Sequence, residues 1–462
     1  MKRNIFILFF AAIIIFAASC NNSDDMQNDN QNNDSTKLTV YQYPDRIATS
    51  IIYEVNIRQY TPEGTFAAFE AHLPRLKDMG IDILWIMPVQ PVGVKNRKGD
   101  LGSYYSIQNY IDVNPEFGTK DDFRSMIEKA HELDMLVILD WVANHSSWDN
   151  VWIDEHPDWY TQDSAGNIVA PVEDWSDVAD LNYNNQEMRN EMVNSMKFWI
   201  ENFDIDGFRC DVAMMVPTDF WDSARVELDK VKPVFMLSEA EEPDLMETAF
   251  DLNYTWDFLH LTEDIAKGNK RAVDLIDYFL NDPAKFPVDK AIRMNFTSNH
   301  DENSWNGSVY ERYPNCYKTF AALTFVVPGM PLIYSGQEAC LDKKLAFFTK
   351  DTIDWNDCDM TLFYKQLSDL KINNSALWNG IFGSNLEFVS TENNEQILTF
   401  FRQNHDNKIL CLFNLADSPT DVKYTEITAE GTYTDYFTGE TVEINLNDTY
   451  HLKPWEFRIL IF

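Results

Sequence analysis

Between residue 48 and about residue 340 the chain repeats one rhythm: a short apolar run, a loop, then apolar positions at helical spacing. Residues 51–57 read as a strand. Phe66, Phe69, Leu73 and Leu76 then share one helical face, which stops at Gly80. Residues 83–89 form the next apolar run. Phe123, Ile127, Ala130 and Leu133 mark a helix that opens after Asp121-Asp122 and leads into a strand at 136–142. Met188, Met192, Met196 and Trp199 mark another helix, feeding a strand at 207–211. Further strands are predicted at 234–237, 250–254, 293–297 and 331–334. Eight strands alternating with helices predict an α/β chain closed into a (β/α)8 TIM barrel over residues 45–379. The structural alternative is an open doubly wound sheet, but no Gly-rich phosphate loop follows any strand.

Two segments break the rhythm. Residues 146–182 are long and polar, carry Trp148, Trp152, Trp159 and Trp175, and read as a short lid inserted after the third strand. From about residue 380 the chain turns to short strands at 397–401, 409–414, 432–436 and 457–462, joined by turns such as His405-Asp406-Asn407. That pattern predicts a C-terminal antiparallel β-sandwich domain over 380–462.

The N-terminus reads as an address. Lys2 and Arg3 precede an apolar stretch, residues 5–18, which is short for a bilayer span. It ends in Ala17-Ala18-Ser19-Cys20, which resembles a bacterial lipobox. The expectation is a signal peptide at 1–19 and an acylated Cys20; the alternative is an ordinary signal peptide cut nearby. A polar tether follows at 20–44, whose Asn- and Asp-rich composition builds no core. The protein is then exported and lipid-anchored to the bacterial cell envelope, at the outer membrane. Asp24-Asp25 resembles a surface-export tag.

The formal net charge is −37, from 37 basic and 74 acidic residues, which argues against nucleic acid and anionic lipid surfaces as partners. A neutral substrate is indifferent to that charge. Apart from Cys20, five cysteines remain: Cys210, Cys316, Cys340, Cys358 and Cys411. Their loose spacing argues against a disulfide framework or a zinc site and leaves one bridge open.

Barrel strands deliver their last side chains to one mouth. The polar residues at those ends are Asp140, Asn144, His145, Arg209, Asp211, Glu239, His300 and Asp301. Three carboxylates, Asp211, Glu239 and Asp301, come from the fourth, fifth and seventh strands. Two carboxyls about 5–5.5 Å apart are what cleavage of a glycosidic bond with retention requires. Arg209 and Asp211, two apart on one strand, share a face, so the guanidinium is expected to hold Asp211 ionised for attack. Glu239, crowded by acids, is expected to keep its proton for the leaving group.

Four stretches now become recognisable: Asp140-Trp141-Val142-Ala143-Asn144-His145, Gly207-Phe208-Arg209-Cys210-Asp211, Leu237-Ser238-Glu239 and Thr297-Ser298-Asn299-His300-Asp301. In order and spacing they resemble the signature regions of the α-amylase family of glycoside hydrolases. Leu101 to Tyr105, Val178 to Asn182 and Gly329 to Glu338 resemble it too. The resemblance implies a hydrolase acting on starch-type α-glucans or maltooligosaccharides through a covalent glycosyl-aspartate. Asp211 is the implied nucleophile, Glu239 the acid/base and Asp301 the stabiliser of the transition state. His145 and His300 are implied to bind sugar hydroxyls, Arg209 to fix the nucleophile, and Tyr105 to floor the subsite, with Tyr104 as the fallback. Asp140 is expected to buttress the mouth rather than react. The tryptophans of the lid either stack on sugars or form its own core, and Trp305 is a further stacking candidate.

No cofactor is expected to be required. Many members of the family bind calcium beside the lid. Asn144 and Asp180 sit where such ligands would come from, but Met214-Met215 stands where many amylases carry a supporting His. The chain is expected to act as a monomer. The competing readings are an exo-acting α-glucosidase or cyclomaltodextrinase-like enzyme, an α-glucan transglycosylase, and, from another class, a non-catalytic surface glycan-binding barrel.

Overall fold

The computed structural model describes residues 45–426 and 429–462. The expected signal peptide, the expected acylation site Cys20 and the expected tether at 20–44 lie outside the described residues. Eight parallel strands close into a barrel: β1 (Ile52–Val55), β2 (Ile83–Ile86), β3 (Leu136–Trp141), β6 (Gly207–Cys210), β7 (Phe235–Ser238), β8 (Leu252–Tyr254), β9 (Ile292–Asn295) and β10 (Met330–Tyr334). Two short strands of the lid, β4 (His145–Ser147) and β5 (Val178–Asp180), interrupt the series and pair antiparallel, His145 opposite Asp180. The predicted runs overshoot the strands at several ends because the flanking apolar residues are buried as well. Ile57, for example, already belongs to the short helix Ile57–Tyr60.

Strands such as Ile83–Ile86 and Leu136–Trp141 are buried along their whole length, as parallel strands covered on both faces must be. Alternate residues point inward. Ile52, Ile83, Trp85, Ile138, Leu237, Tyr254, Met294 and Leu332 fill the barrel with one cluster. The layer at the mouth is different, because there the inward positions are Glu54, Asp140 and Arg209. Gly207, two residues before Arg209, has φ +155°, and a Cβ there would stand 1.8 Å from the carbonyl oxygen of Phe235. Only glycine lets β6 lie this close to β7, and so brings Asp211 and Glu239 out on adjacent strands.

The helix predicted from Phe66 to Gly80 is broken into Phe66–Glu70 and Leu73–Asp78 by a turn at Ala71 and His72, while the two later helices predicted from spacing are present. Helix Lys120–Glu132 begins in a capping box between Thr119 and Asp122, and helix Gln186–Phe203, capped by Asn185, buries Met188, Met192, Met196 and Trp199. In the lid, Trp152 stacks on Tyr110 at 4.6 Å and meets Trp159 edge-on at 5.4 Å, so these two tryptophans form the lid's core.

The C-terminal domain is a six-stranded antiparallel sheet with a two-stranded sheet packed on it. The large sheet holds β11 (Glu387–Phe388), β12 (Ile397–Asn404), β13 (Asn407–Asn414), β15 (Gly431–Asp435), β16 (Thr441–Ile444) and β18 (Phe457–Ile461). The small one pairs β14 (Thr420–Val422) with β17 (Tyr450–Leu452). Val422 and Leu452 join Ile397, Leu410, Tyr433 and Leu460 in one core. Buried Arg402 fastens this domain to the barrel by donating to the carbonyl of Val326 at 2.8 Å. Cys340 and Cys358 form a disulfide across the loop that follows β10, while Cys210, Cys316 and Cys411 are free and buried. The bridge left open by spacing is thus present, because β10 and the following loop bring two distant cysteines together.

Candidate active site

The mouth of the barrel holds a cleft of about 450 Å³ whose lining includes Tyr105, His145, Asp211, Glu239, His300 and Asp301. Six of the seven residues singled out for catalysis or substrate binding therefore face one cavity. Arg209, the seventh, lies fully buried just beneath it. Its Nη1 donates to Asp140 Oδ1 at 2.8 Å and to Asp211 Oδ1 at 3.1 Å, and its Nη2 is ion-paired with Glu239 Oε2 at 2.8 Å. A single planar fork thus spans the two carboxyls and fixes their separation. The backbone N–H of Val212 also donates to Glu239 Oε2 at 2.8 Å. Val212 has φ 36°, a conformation costly for a β-branched residue, and it is held at the turn that aims this N–H.

Asp140 is completely buried and does not line the cleft. Its Oδ2 accepts from Trp85 Nε1 at 3.1 Å and from the Tyr105 hydroxyl at 3.0 Å, so it buttresses the mouth. Tyr105 stacks on His300 with centroids 5.4 Å apart, and Tyr104 instead lies buried under the Arg58 guanidinium at 4.2 Å. Of the two tyrosines, Tyr105 lines the cleft and Tyr104 does not.

The charges follow from burial and crowding. Burial pushes the Glu239 carboxyl up; Arg209 opposes the rise and Asp301 reinforces it, so the expected direction holds. For Asp211 the expectation needs correction. Burial raises its carboxyl, Arg209 pulls it down, and Glu239, Asp140 and Asp301 push it up again, for a net rise. One guanidinium shared among three carboxyls does not offset the burial of Asp211, so the carboxyls of Asp211 and Glu239 are both pushed up. Burial lowers His145 to about 3, so it is a neutral ring, with Asn144 Nδ2 3.2 Å from Nδ1. His300 goes the other way. Burial opposes its charge, but Asp301 and Glu54 raise it to about 9.

Several parts of the site were not expected from the chain. Glu54 lies on β1 with Oε1 2.6 Å from His300 Nδ1. Its signal was available: an acid inside the apolar run Ile52-Tyr53-Glu54-Val55 has to be paired. Trp175, Asp177 and Lys98 form one wall of the cleft, where Trp175 meets His145 edge-on at 5.4 Å and Lys98 pairs with Asp177 at 2.9 Å. Phe347 and Phe348, on the disulfide-bridged loop, form the other wall with Trp305, which is 51% exposed and donates from Nε1 to Asp301 Oδ1 at 3.3 Å. Trp175 and Trp305 were stacking candidates in the sequence; Lys98, Asp177, Phe347 and Phe348 come from loops without periodicity and carried no signal there.

The lid ladder brings Asn144 and Asp180 into neighbourhood, but the surrounding oxygens are already used. Tyr110 donates to the carbonyls of Val142 and His145 at 2.9 and 2.8 Å, and Tyr183 donates to that of Ala143 at 2.7 Å. Calcium takes six to eight oxygens, and three of the carbonyls beside Asn144 already accept from tyrosine hydroxyls. Among the described residues no three His, Cys, Asp or Glu side chains are grouped to hold a metal.

Known proteins resemble this chain in sequence and in fold. The family described as the α-amylase catalytic domain matches residues 14–166 and 172–379, and the maltogenic amylase C-terminal domain matches 386–459. A noncanonic maltogenic α-amylase from Thermotoga neapolitana superposes with a TM-score of 0.83 at 32% identity, over 90% of this chain and 99% of that one. An α-amylase from Lactobacillus plantarum does so with 0.81 at 30% identity and the same coverage. Among curated proteins, an α-amylase of Haloarcula japonica is 25% identical over 406 residues, covering 83% of this chain and 58% of its own length. A maltose-1-phosphate maltosyltransferase of Picrophilus torridus is 26% identical over 385 residues, covering 76% of this chain and 59% of its own length. The chain thus spans less than two thirds of these two relatives. It belongs to the α-amylase family, whose members act on O-glycosyl bonds.

Proposed function

We propose that this protein hydrolyses α-glucosidic bonds in starch-type α-glucans or maltooligosaccharides with retention of anomeric configuration. The observation that carries the reading is the Arg209 fork touching Asp211 and Glu239 together, with the Val212 N–H on Glu239. The reaction starts with the proton on Glu239 and Asp211 ionised. Glu239 Oε2 is engaged by Arg209 and Val212, which leaves Oε1 to carry the proton toward the glycosidic oxygen. Asp211 attacks the anomeric carbon from the opposite face, the C1–O bond breaks, and the leaving sugar departs with the Glu239 proton. Glu239, now a carboxylate, takes a proton from water. That water attacks C1, frees Asp211 and restores the starting anomer. The Asp301 carboxylate stabilises the oxocarbenium-like transition state, while the His300 imidazolium donates to sugar hydroxyls and neutral His145 and Tyr105 meet the ring.

The maltogenic relative and the matching C-terminal domain support maltooligosaccharides as substrates and short maltosaccharides as products. Incubation with starch, pullulan and maltooligosaccharides, with product size and anomer followed by NMR, tests the reading. Short α-anomeric products that vanish in Asp211→Asn support it. Lengthened chains would identify a transglycosylase, and identical behaviour of wild type and variant would exclude the mechanism. The lipobox-like Ala17-Ala18-Ser19-Cys20 supports lipid anchoring to the cell envelope. Cys20→Ala should then release the protein from membranes, and unchanged fractionation would refute the anchor.

A further inference from the structure

β1 turns one ionisable side chain into the barrel, Glu54, which is fully buried and does not reach the cleft. It cannot touch a substrate, yet it contacts a residue that does. Glu54 Oε1 stands 2.6 Å from His300 Nδ1. On the other side of the ring, Nε2 is 2.7 Å from the Tyr105 hydroxyl and 3.3 Å from Asp301 Oδ2. The charged and titratable groups around His300 include Glu54 from β1, Tyr105 from the loop after β2, Arg209 from β6, Glu239 after β7, and adjacent Asp301. The edge of Trp85 covers its ring at 5.9 Å.

Hydrogen-bond bookkeeping, with Glu54 ionised, favours a charged ring. A neutral imidazole has one N–H, and if that faces Glu54, Nε2 presents a lone pair to Asp301. The single Tyr105 proton would then have to choose between Nε2 and Asp140 Oδ2, which it also reaches at 3.0 Å. An imidazolium donates at both ends and satisfies Glu54, Asp301, Tyr105 and Asp140 together.

We propose that Glu54 is a positioning residue for glycoside hydrolysis: it keeps His300 an imidazolium, which holds the Asp301 carboxylate and turns the Tyr105 proton onto Asp140. The inference rests on the reading of the cleft as a glycosidase site. The electrostatics agree in direction. Burial opposes the charge on His300 and Arg209 repels it, but Asp301 and Glu54 prevail. Burial in turn raises the Glu54 carboxyl, and His300 pulls it back.

Glu54→Gln tests this, because Gln preserves the shape and an acceptor for Nδ1 but removes the charge. The protein has eight histidines, so ring carbons labelled at histidine can be followed by NMR, with His300→Gln identifying the resonance. The His300 ring is expected to titrate at least about one pH unit lower in Glu54→Gln, since loss of a contact charge is worth a unit or more. The basic limb of kcat should fall by the same interval, giving about a tenfold loss above that limb, a small loss below it and little change in KM. Added to His300→Gln, Glu54→Gln should cost nothing more, because it acts through that ring. An unshifted resonance, a uniform loss of kcat at every pH, or an additive double variant overturns the proposal. The NMR titration needs no turnover. An enzyme that cleaves no α-glucan would therefore overturn the assigned function and leave the Glu54–His300 pairing separately readable.

Discussion

Replacing Arg209 with Gln removes the one guanidinium shared by Asp140, Asp211 and Glu239 while keeping a side chain that reaches part of the way. Arg209 Nη1 lies 3.1 Å from Asp211 Oδ1. Unit charges at that distance interact by about 5 kcal/mol at an effective dielectric near 20, equivalent to roughly four pH units. Water entering beside the shorter side chain recovers part of this, so a rise of about two units in the titration of the Asp211–Glu239 pair is expected. The sign is fixed by the chemistry. Arg209 lowers both carboxyls, its loss raises them, and a protonated Asp211 cannot attack. The acid limb of kcat/KM therefore moves to higher pH by about two units. Breaking a buried ion pair on one side also costs about 4 kcal/mol of stability. The assays are a pH–rate profile on a maltooligosaccharide and urea unfolding followed by circular dichroism. A folded variant whose acid limb coincides with that of the wild type would show that Arg209 does not govern the ionisation of the pair, and would refute the reasoning.

Three further outcomes are expected. His145 stays neutral down to about pH 3 when folded but takes a proton near 6.5 when unfolded. Stability is therefore lost as pH falls through that window, and His145→Gln removes the loss. Between pH 7 and about pH 4 the unfolding free energy of the variant should gain about 3 kcal/mol relative to the wild type; a gap that does not change with pH contradicts this. Replacing Cys340 and Cys358 with Ser opens a bridge with a sequence separation of 18, worth about 3 kcal/mol of chain entropy, and loosens the loop bearing Phe347 and Phe348. The melting temperature should fall and KM rise with kcat largely kept; unchanged values of both would show the loop to be held by its packing. Dialysis against a chelator should leave melting temperature and activity unaltered, because Tyr110 and Tyr183 already satisfy the carbonyls beside Asn144. A drop restored by calcium would overturn that assignment.

The barrel was legible in the sequence because its strands are apolar on both faces and its helices keep a clean 3.6-residue period, as the face of Met188, Met192, Met196 and Trp199 shows. Asp211 and Glu239 were legible because each directly follows a strand, and such ends converge. Glu54 escaped because it sits inside a strand, where its partner His300 is 246 residues away. The Cys340–Cys358 bridge and the Phe347–Phe348 wall depend on how a loop folds back, which no spacing encodes. The ionisation of Asp211 escaped for a different reason. Proximity to Arg209 can be read from a two-residue interval, but the number of carboxyls sharing that guanidinium is a property of three strands at once.

The account stands on Asp211 forming a bond to the anomeric carbon. Incubating the protein with 5-fluoro-α-glucosyl fluoride, which slows release of the intermediate, and measuring intact mass followed by peptide mapping tests this directly. The expected result is one added glycosyl unit, carried by the peptide that contains Asp211 and absent in Asp211→Asn. An adduct on another residue, or unlabelled protein that turns over natural substrate with inverted anomeric configuration, would contradict it.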